Sequence, residues 1–196
     1  MATERKKRLG FAMCGSFCTH AEAIEVLRGL VSDYDIVPIL SFAAHETDTR
    51  FGTSALLSEK LTSICGRSPV TTVAEAERFG PVEPLDVLFI CPCTGNTLAK
   101  LAHGITDTPV TMAAKAHLRC DRPVLIALAT NDAMSANLGN LGLMLNRKNV
   151  DFVPMVQDAP VSKPHSLVAD FPQSRAALDA LPLGHQLRPL FLTRPA

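Results

Sequence analysis

The sequence predicts a single α/β domain built on a Rossmann-like, doubly wound parallel sheet, and three observations carry that prediction. Short runs at 9–13, 87–91 and 123–129 are apolar at every position. Strands covered on both faces read this way, whereas a half-solvated strand alternates between apolar and polar. Segments with a helical period separate these runs, so crossover helices are expected on both sides of the sheet. The fixed hand of such crossovers then makes the sheet doubly wound. Finally, 196 residues suffice for one such domain and fall short of two.

Taken in order, residues 1–8 carry Arg5, Lys6, Lys7 and Arg8 and read as a basic, solvated tail before the first strand at 9–13. Ile24, Leu27 and Val31 fall at i, i+3 and i+7, one face of a helix. The second strand is expected at 35–41, where Pro38 argues against a central position because it cannot donate to a ladder. Leu57, Leu61 and Ile64 mark another helix, and 70–73 a short strand. After the strand at 87–91, Leu98, Leu101, Ala102 and Ile105 form a helical stripe, followed by a helix over 110–118. Beyond the run at 123–129, Ser135 is expected to cap a helix bearing Leu138, Leu141 and Leu145. A short strand at 152–155, a polar loop at 156–165, a helix at 174–181 and an extended tail at 187–196 complete the chain. The folded domain is thus expected over 9–186.

Composition narrows the function. Nineteen basic residues balance nineteen acidic ones, and with one Tyr and no Trp there is little to stack on bases. Nucleic acid is excluded as the main partner, since backbone binding needs a basic surface. Although 47% of residues are hydrophobic, no apolar run approaches the roughly 18–20 residues of a membrane span. No signal peptide is recognisable at the start, so a cytoplasmic location is expected. The six cysteines include only two close pairs, Cys14 with Cys18 and Cys91 with Cys93. Neither pair fits a zinc pattern, so reduced thiols and no metal site are expected.

In a doubly wound sheet, ligands bind beyond the carboxyl ends of the strands, and four segments there are unusually polar. The first, Cys14-Gly15-Ser16-Phe17-Cys18-Thr19-His20, combines a tight turn with hydroxyls at a helix start. It suits a phosphate, or is simply a strand–helix connection. GxGxxG and a P-loop lysine are both missing, which argues against a dinucleotide here. Ser41 ends the second strand, where dinucleotide folds often carry an acidic residue. The third segment, Pro92-Cys93-Thr94-Gly95-Asn96-Thr97, is the richest in compact donors and acceptors. The fourth is Thr130-Asn131-Asp132, which an Asx-type turn would also explain. His20 is singled out among scattered histidines because it adjoins the first loop. Lys163 stands in a long loop with the composition of either a lid or a linker.

The run from Pro92 to Thr97, with Ala99-Lys100, resembles the Pro-Ala-x-x-Asn-Thr-x-Ala-Lys loop of the FMN-binding flavoprotein superfamily, which includes cysteine decarboxylases and flavin prenyltransferases. A closer resemblance, to the dipicolinate synthase B subunits of spore-forming bacteria, covers nearly the whole chain. It rests on Gly15-Ser16-x-Cys18-Thr19, Thr94-Gly95-Asn96, Thr106-Asp107-x-Pro109-Val110, Met112-Ala113-Ala114-Lys115-Ala116, Arg122-Pro123-Val124, Thr130-Asn131-Asp132-Ala133 and Gln157-Asp158-x-Pro160 with Lys163-Pro164-x-Ser166.

The resemblance implies a flavoprotein-type fold and an oxidoreductase subunit. It would act with a dehydrogenase-like A subunit that binds NAD(P), oxidising a dihydro- or tetrahydropyridine dicarboxylate to dipicolinate during sporulation. It also implies an FMN pocket formed by Gly15, Ser16, Thr19, Ser41, Pro92, Thr94, Asn96, Thr97, Thr130 and Asn131. Asn96, Asn131, Asp132, Lys163 and His20 are its candidates for a role in the chemistry, with no general base assigned. Homo-oligomers are implied too, because related flavoproteins bind their cofactor at subunit contacts. Two departures matter. The decarboxylases have a histidine before the strand at 87–91, where this chain has Pro81-Val82-Glu83-Pro84-Leu85-Asp86, and a Pro-Ala-Met-Asn clamp where it has Ala129-Thr130-Asn131-Asp132. The remaining alternatives are an FMN-dependent decarboxylase or flavin-modifying enzyme, and a non-catalytic scaffold subunit.

Overall fold

The computed structural model describes residues 5–193. Five strands form a parallel sheet in the order β2-β1-β3-β4-β5: β1 (Lys7–Met13), β2 (Tyr34–Leu40), β3 (Val87–Cys93), β4 (Val124–Thr130) and β5 (Val150–Phe152). This is the doubly wound arrangement expected, with its order reversing between β1 and β3. A basic tail over 1–8 is not what the described part of that segment forms. Lys7 and Arg8 open β1, the Arg8 amide donates to the Asp86 carboxylate at 2.7 Å, and residues 1–4 lie outside the described residues.

Apolar side chains alternate along each strand between two cores. Leu9, Phe11, Met13, Phe89, Leu125 and Ala127 face α1 (His20–Arg28), α3 (Ser54–Cys65) and α8 (Ser174–Ala180). Leu88, Ile90, Val124, Ile126 and Leu128 face α5 (Gly95–Ala102), α6 (Pro109–Leu118) and α7 (Leu138–Leu145). Burial on both faces is why these strands read as unbroken apolar runs.

Pro38 lies on the edge strand, as its missing N–H requires. Its carbonyl points outward and accepts from the Val70 amide at 2.9 Å, and the Leu40 amide donates to the Val70 carbonyl at 2.9 Å. The short strand expected at 70–73 reduces to this one bridge, because Thr72 caps a helical turn, α4 (Val73–Ala76). A further short helix, α2 (Phe42–Glu46), follows β2 at once.

The sheet is not wholly parallel. Val124–Ile126 of β4 pair with β5, whereas Ala129 and Thr130 pair antiparallel with β7 (Leu167–Ala169). In turn β7 pairs antiparallel with β6 (Met155–Val156), and β6 runs parallel to β8 (Phe191–Leu192). No helix connects β6 to β7, and a return without a crossover must be antiparallel. The strand expected at 152–155 is therefore two strands, β5 and β6. Among the described residues no helix is long and apolar enough to cross a membrane.

Candidate functional site

At the reversal point, the Cys14 amide donates to the Pro92 carbonyl at 3.0 Å and ties the loop after β1 to the end of β3. Gly15 permits the closest turn, since a Cβ there would meet the Ala43 methyl at 3.1 Å. The chain then makes a single turn at Phe17–Thr19 and enters α1. The first amides of such a turn have no acceptor inside it. The Thr19 hydroxyl donates to the Ser16 carbonyl at 2.9 Å and holds the turn shut. His20 Nε2 donates to the Cys14 carbonyl at 2.8 Å, and burial lowers its pKa from the ordinary value while that carbonyl opposes the shift. Held by this bond, His20 braces the loop.

A relay of hydroxyls joins the same loops beneath the surface. Thr94 Oγ1 donates to Thr97 Oγ1 at 3.1 Å, and Thr97 Oγ1 donates to Cys14 Sγ at 3.3 Å. Thr94 also caps α5 by accepting from the Thr97 amide at 3.2 Å. Hydrogen bonding with the Cys93 thiol lowers the Cys14 pKa against the opposing effect of burial, and the Thr97 hydroxyl adds to it. All six cysteines are free.

After β4, Asp132 is bracketed on both carboxylate oxygens. Thr130 Oγ1 donates to Oδ1 at 2.5 Å and Asn137 Nδ2 donates to Oδ2 at 2.8 Å. Gly95 is what lets α5 approach this cluster. A Cβ at Gly95 would lie 2.6 Å from Asn137 Nδ2, 2.7 Å from Thr130 Oγ1 and 2.8 Å from Asp132 Oδ1. Asp132 also organises the chain entering α7, its carbonyl accepting from the Ser135 and Asn137 amides. The N-cap position falls to Asn137, and Ser135, the expected cap, instead turns its hydroxyl to the Asp132 carbonyl.

These loops and the segment 157–166 enclose a cleft of about 840 Å³. The segment is an ordered wall: the Lys163 amide donates to the Ala159 carbonyl at 2.7 Å, Gln157 Nε2 to the Pro164 carbonyl at 2.8 Å, and Lys163 Nζ to Asp158 Oδ2 at 2.9 Å. Burial of Asp158 pushes its pKa up, but the Ser166 hydroxyl and Lys163 ammonium outweigh this and leave it lowered.

Of the residues singled out in the sequence, Gly15, Ser16 and Thr19 line the cleft from the first loop, Thr94 from the third, and Thr130 and Asn131 from the fourth. Lys163 joins them from the long wall. Six others do not line it. Ser41 is buried, capping α2 by accepting from the Ala44 amide at 3.3 Å. Pro92 and Thr97 are buried behind the lining, Asp132 is engaged as above, His20 faces a smaller adjoining hollow, and Asn96 is exposed on the first turn of α5. Sequence reasoning missed Phe17, Arg50, Phe51, Asp158 and Asp170 as lining residues. Arg50 and Phe51 lie in the polar stretch 47–53 beyond α2, where no abrupt change of character marks them.

A family model described as "Flavoprotein" matches residues 1–177. The chain belongs to the flavoprotein family. It is 37% identical over 193 residues to the B subunit of dipicolinate synthase from Bacillus subtilis (strain 168), covering 98% of this chain and 96% of that one. The crystal structure of the corresponding dipicolinate synthase B subunit from Bacillus halodurans superposes with a TM-score of 0.87 at 37% identity, covering 96% of this chain and 97% of the other. An FMN-dependent cysteine decarboxylase superposes at 0.66 with 26% identity, covering 90% and 96%. This flavoprotein is therefore a homologue of the dipicolinate synthase B subunits, with decarboxylases among its structural neighbours.

Proposed function

We propose that this chain serves as the flavoprotein subunit of a two-subunit dipicolinate synthase. With an NAD(P)-binding A subunit it takes part in oxidising dihydro- or tetrahydrodipicolinate to pyridine-2,6-dicarboxylate, in the cytoplasm of the mother cell during sporulation. The observation that carries the reading is the 37% identity to a dipicolinate synthase B subunit across 98% of the chain.

The cleft supports it. Its volume of about 840 Å³ lies within the range of about 300–1,000 Å³ usual for small-molecule and cofactor sites. The donor set fits FMN: a tight turn opening α1 at Gly15-Ser16 for the phosphate, and Thr94, Thr130 and Asn131 for the ribityl chain or ring edge. Bound FMN would supply a ring able to accept or pass on a hydride. Among this chain's residues, Ser16 and Thr94 would orient it, Asn131 would face the reacting ring, and the 157–166 wall would exclude water. The exposed Asn96 is left for a contact outside the single-chain cleft.

Reconstitution tests the division of labour. Each subunit alone and then the pair are assayed for ultraviolet absorbance of the aromatic product with NAD or NADP supplied. Activity is expected only from the pair. Turnover by this chain alone would refute the assignment of the nicotinamide to the partner. Full activity of the A subunit alone would remove this chain from the reaction altogether.

A further inference from the structure

Two cations line the cleft, and they differ in one respect. Lys163 is neutralised by Asp158 at 2.9 Å, whereas Arg50 has no carboxylate within salt-bridge distance among the described residues. The acidic residue nearest to Arg50 in sequence, Asp48, is already occupied, its Oδ1 accepting from the Ser54 amide at 2.9 Å and from the Ser54 hydroxyl at 3.2 Å. The turn that carries Arg50 is closed by paired bonds between Thr49 and Gly52, at 3.0 and 3.1 Å, and by the Thr49 hydroxyl accepting from the Phe51 amide at 3.1 Å. Within this turn the guanidinium stacks over the Phe51 ring, 4.9 Å from its centroid. Phe51 itself lines the cleft and leaves 54% of its surface exposed. The cleft thus presents an unpaired guanidinium and a half-exposed aromatic ring on one short, braced turn.

We infer that Arg50 is the anchor for a carboxylate of a planar ring substrate, with Phe51 beside it as the surface on which the ring lies. A guanidinium offers two parallel N–H donors that match a carboxylate. Holding it against an aromatic face reduces the side-chain freedom lost on binding. The same charge could instead meet the phosphate of FMN. The turn at Gly15-Ser16 already offers amides and a hydroxyl for that group, which leaves Arg50 to the substrate. This inference rests on the dicarboxylate reading above. It places the carboxylate site on the connection between α2 and α3 rather than at Lys163, whose charge is already paired with Asp158.

The test is a calorimetric titration of the full chain in metal-free buffer with FMN in excess. Pyridine-2,6-dicarboxylate and the uncharged pyridine-2,6-dicarboxamide are compared on the parent, Arg50→Ala and Arg50→Lys proteins, with FMN affinity measured separately by flavin fluorescence. The parent is expected to prefer the dicarboxylate by about tenfold or more, the value of one charge-assisted hydrogen-bonding pair. Arg50→Ala is expected to bring that ratio close to one with FMN affinity unchanged, and Arg50→Lys to fall between. A preference that survives in Arg50→Ala overturns the inference and leaves the proposed function standing. A loss confined to FMN affinity overturns it as well, assigning the guanidinium to the phosphate. Failure of the parent to bind the dicarboxylate would remove the dicarboxylate reading together with the inference.

Discussion

His117 has no exposed surface on α6, and its Nε2 donates to the Pro123 carbonyl at 2.9 Å while Nδ1 has no partner. A second proton would have to enter at that buried, unpartnered nitrogen. Burial therefore lowers its pKa to about 4; the Pro123 carbonyl and Asp86 oppose the shift and Arg122 reinforces it. The unfolded chain takes up this proton near pH 6.5, the folded chain only near 4. Stability must then fall as pH drops through that window and level off for this group below it, by at most about 3 kcal/mol. His117→Gln keeps a donor for the Pro123 carbonyl but cannot titrate. Guanidinium midpoints measured between pH 4 and 7 are expected to slope less in that variant than in the parent, and equal slopes would dismiss His117 as the cause. Legibility at this scale depended on contrast. Thr94, Thr130 and Asn131 stood out because an apolar strand turns abruptly polar at them. Arg50 sits in an already polar segment, where nothing in the spacing distinguishes a lining residue from a solvated one. His20, Asp132 and Thr97 were recognisable as belonging to the site loops, but their engagement with neighbours depends on contacts the chain order does not reveal.

Among the elements, β5 would leave an open edge beside β4, and the chain closes it with a side chain. Gln186 Oε1 accepts from the Phe152 amide at 2.7 Å, while its Nε2 donates to the Phe152 carbonyl at 2.6 Å and to the Leu187 carbonyl at 2.9 Å. One amide group thus imitates a ladder pair. Phe152 is fully buried, so Gln186→Ala would leave its N–H and C=O without these partners. A loss of about 1–3 kcal/mol is expected, read as a lower denaturant midpoint. An unchanged midpoint would mean that water replaces the side chain without penalty. The long strands and helices were visible as sustained periodicity. Strands β6, β7 and β8 span only two or three residues each, too few to show a period, and their pairing comes from the packing of the C-terminal third of the chain. The expected extended tail over 187–196 contains β8, while residues 194–196 lie outside the described part.

For the whole molecule, the apolar stripes that made the fold class readable also mark where the single chain leaves apolar surface uncovered. The stripe Leu138, Leu141 and Leu145 was expected to face the core, and Leu141 does. Leu138 remains 54% exposed and Leu145 37%, and nothing lies within 4 Å of a Cβ built at Gly142 between them. A helix whose spacing is right for burial but whose stripe is half open is matched to a surface outside its own chain. We therefore expect a homo-oligomer with α7 at the contact. Sedimentation at micromolar concentration with FMN present should show it. Introducing Leu138→Asp together with Leu145→Asp should shift the population to smaller species, because each places a charge that must be desolvated in the contact. Both positions are exposed in the single chain, so its secondary structure should be retained, as circular dichroism would report. A parent protein that sediments as a monomer would refute the expectation. Assembly unaffected by the paired substitution would place the contact elsewhere on the surface and leave the open stripe on α7 to another partner.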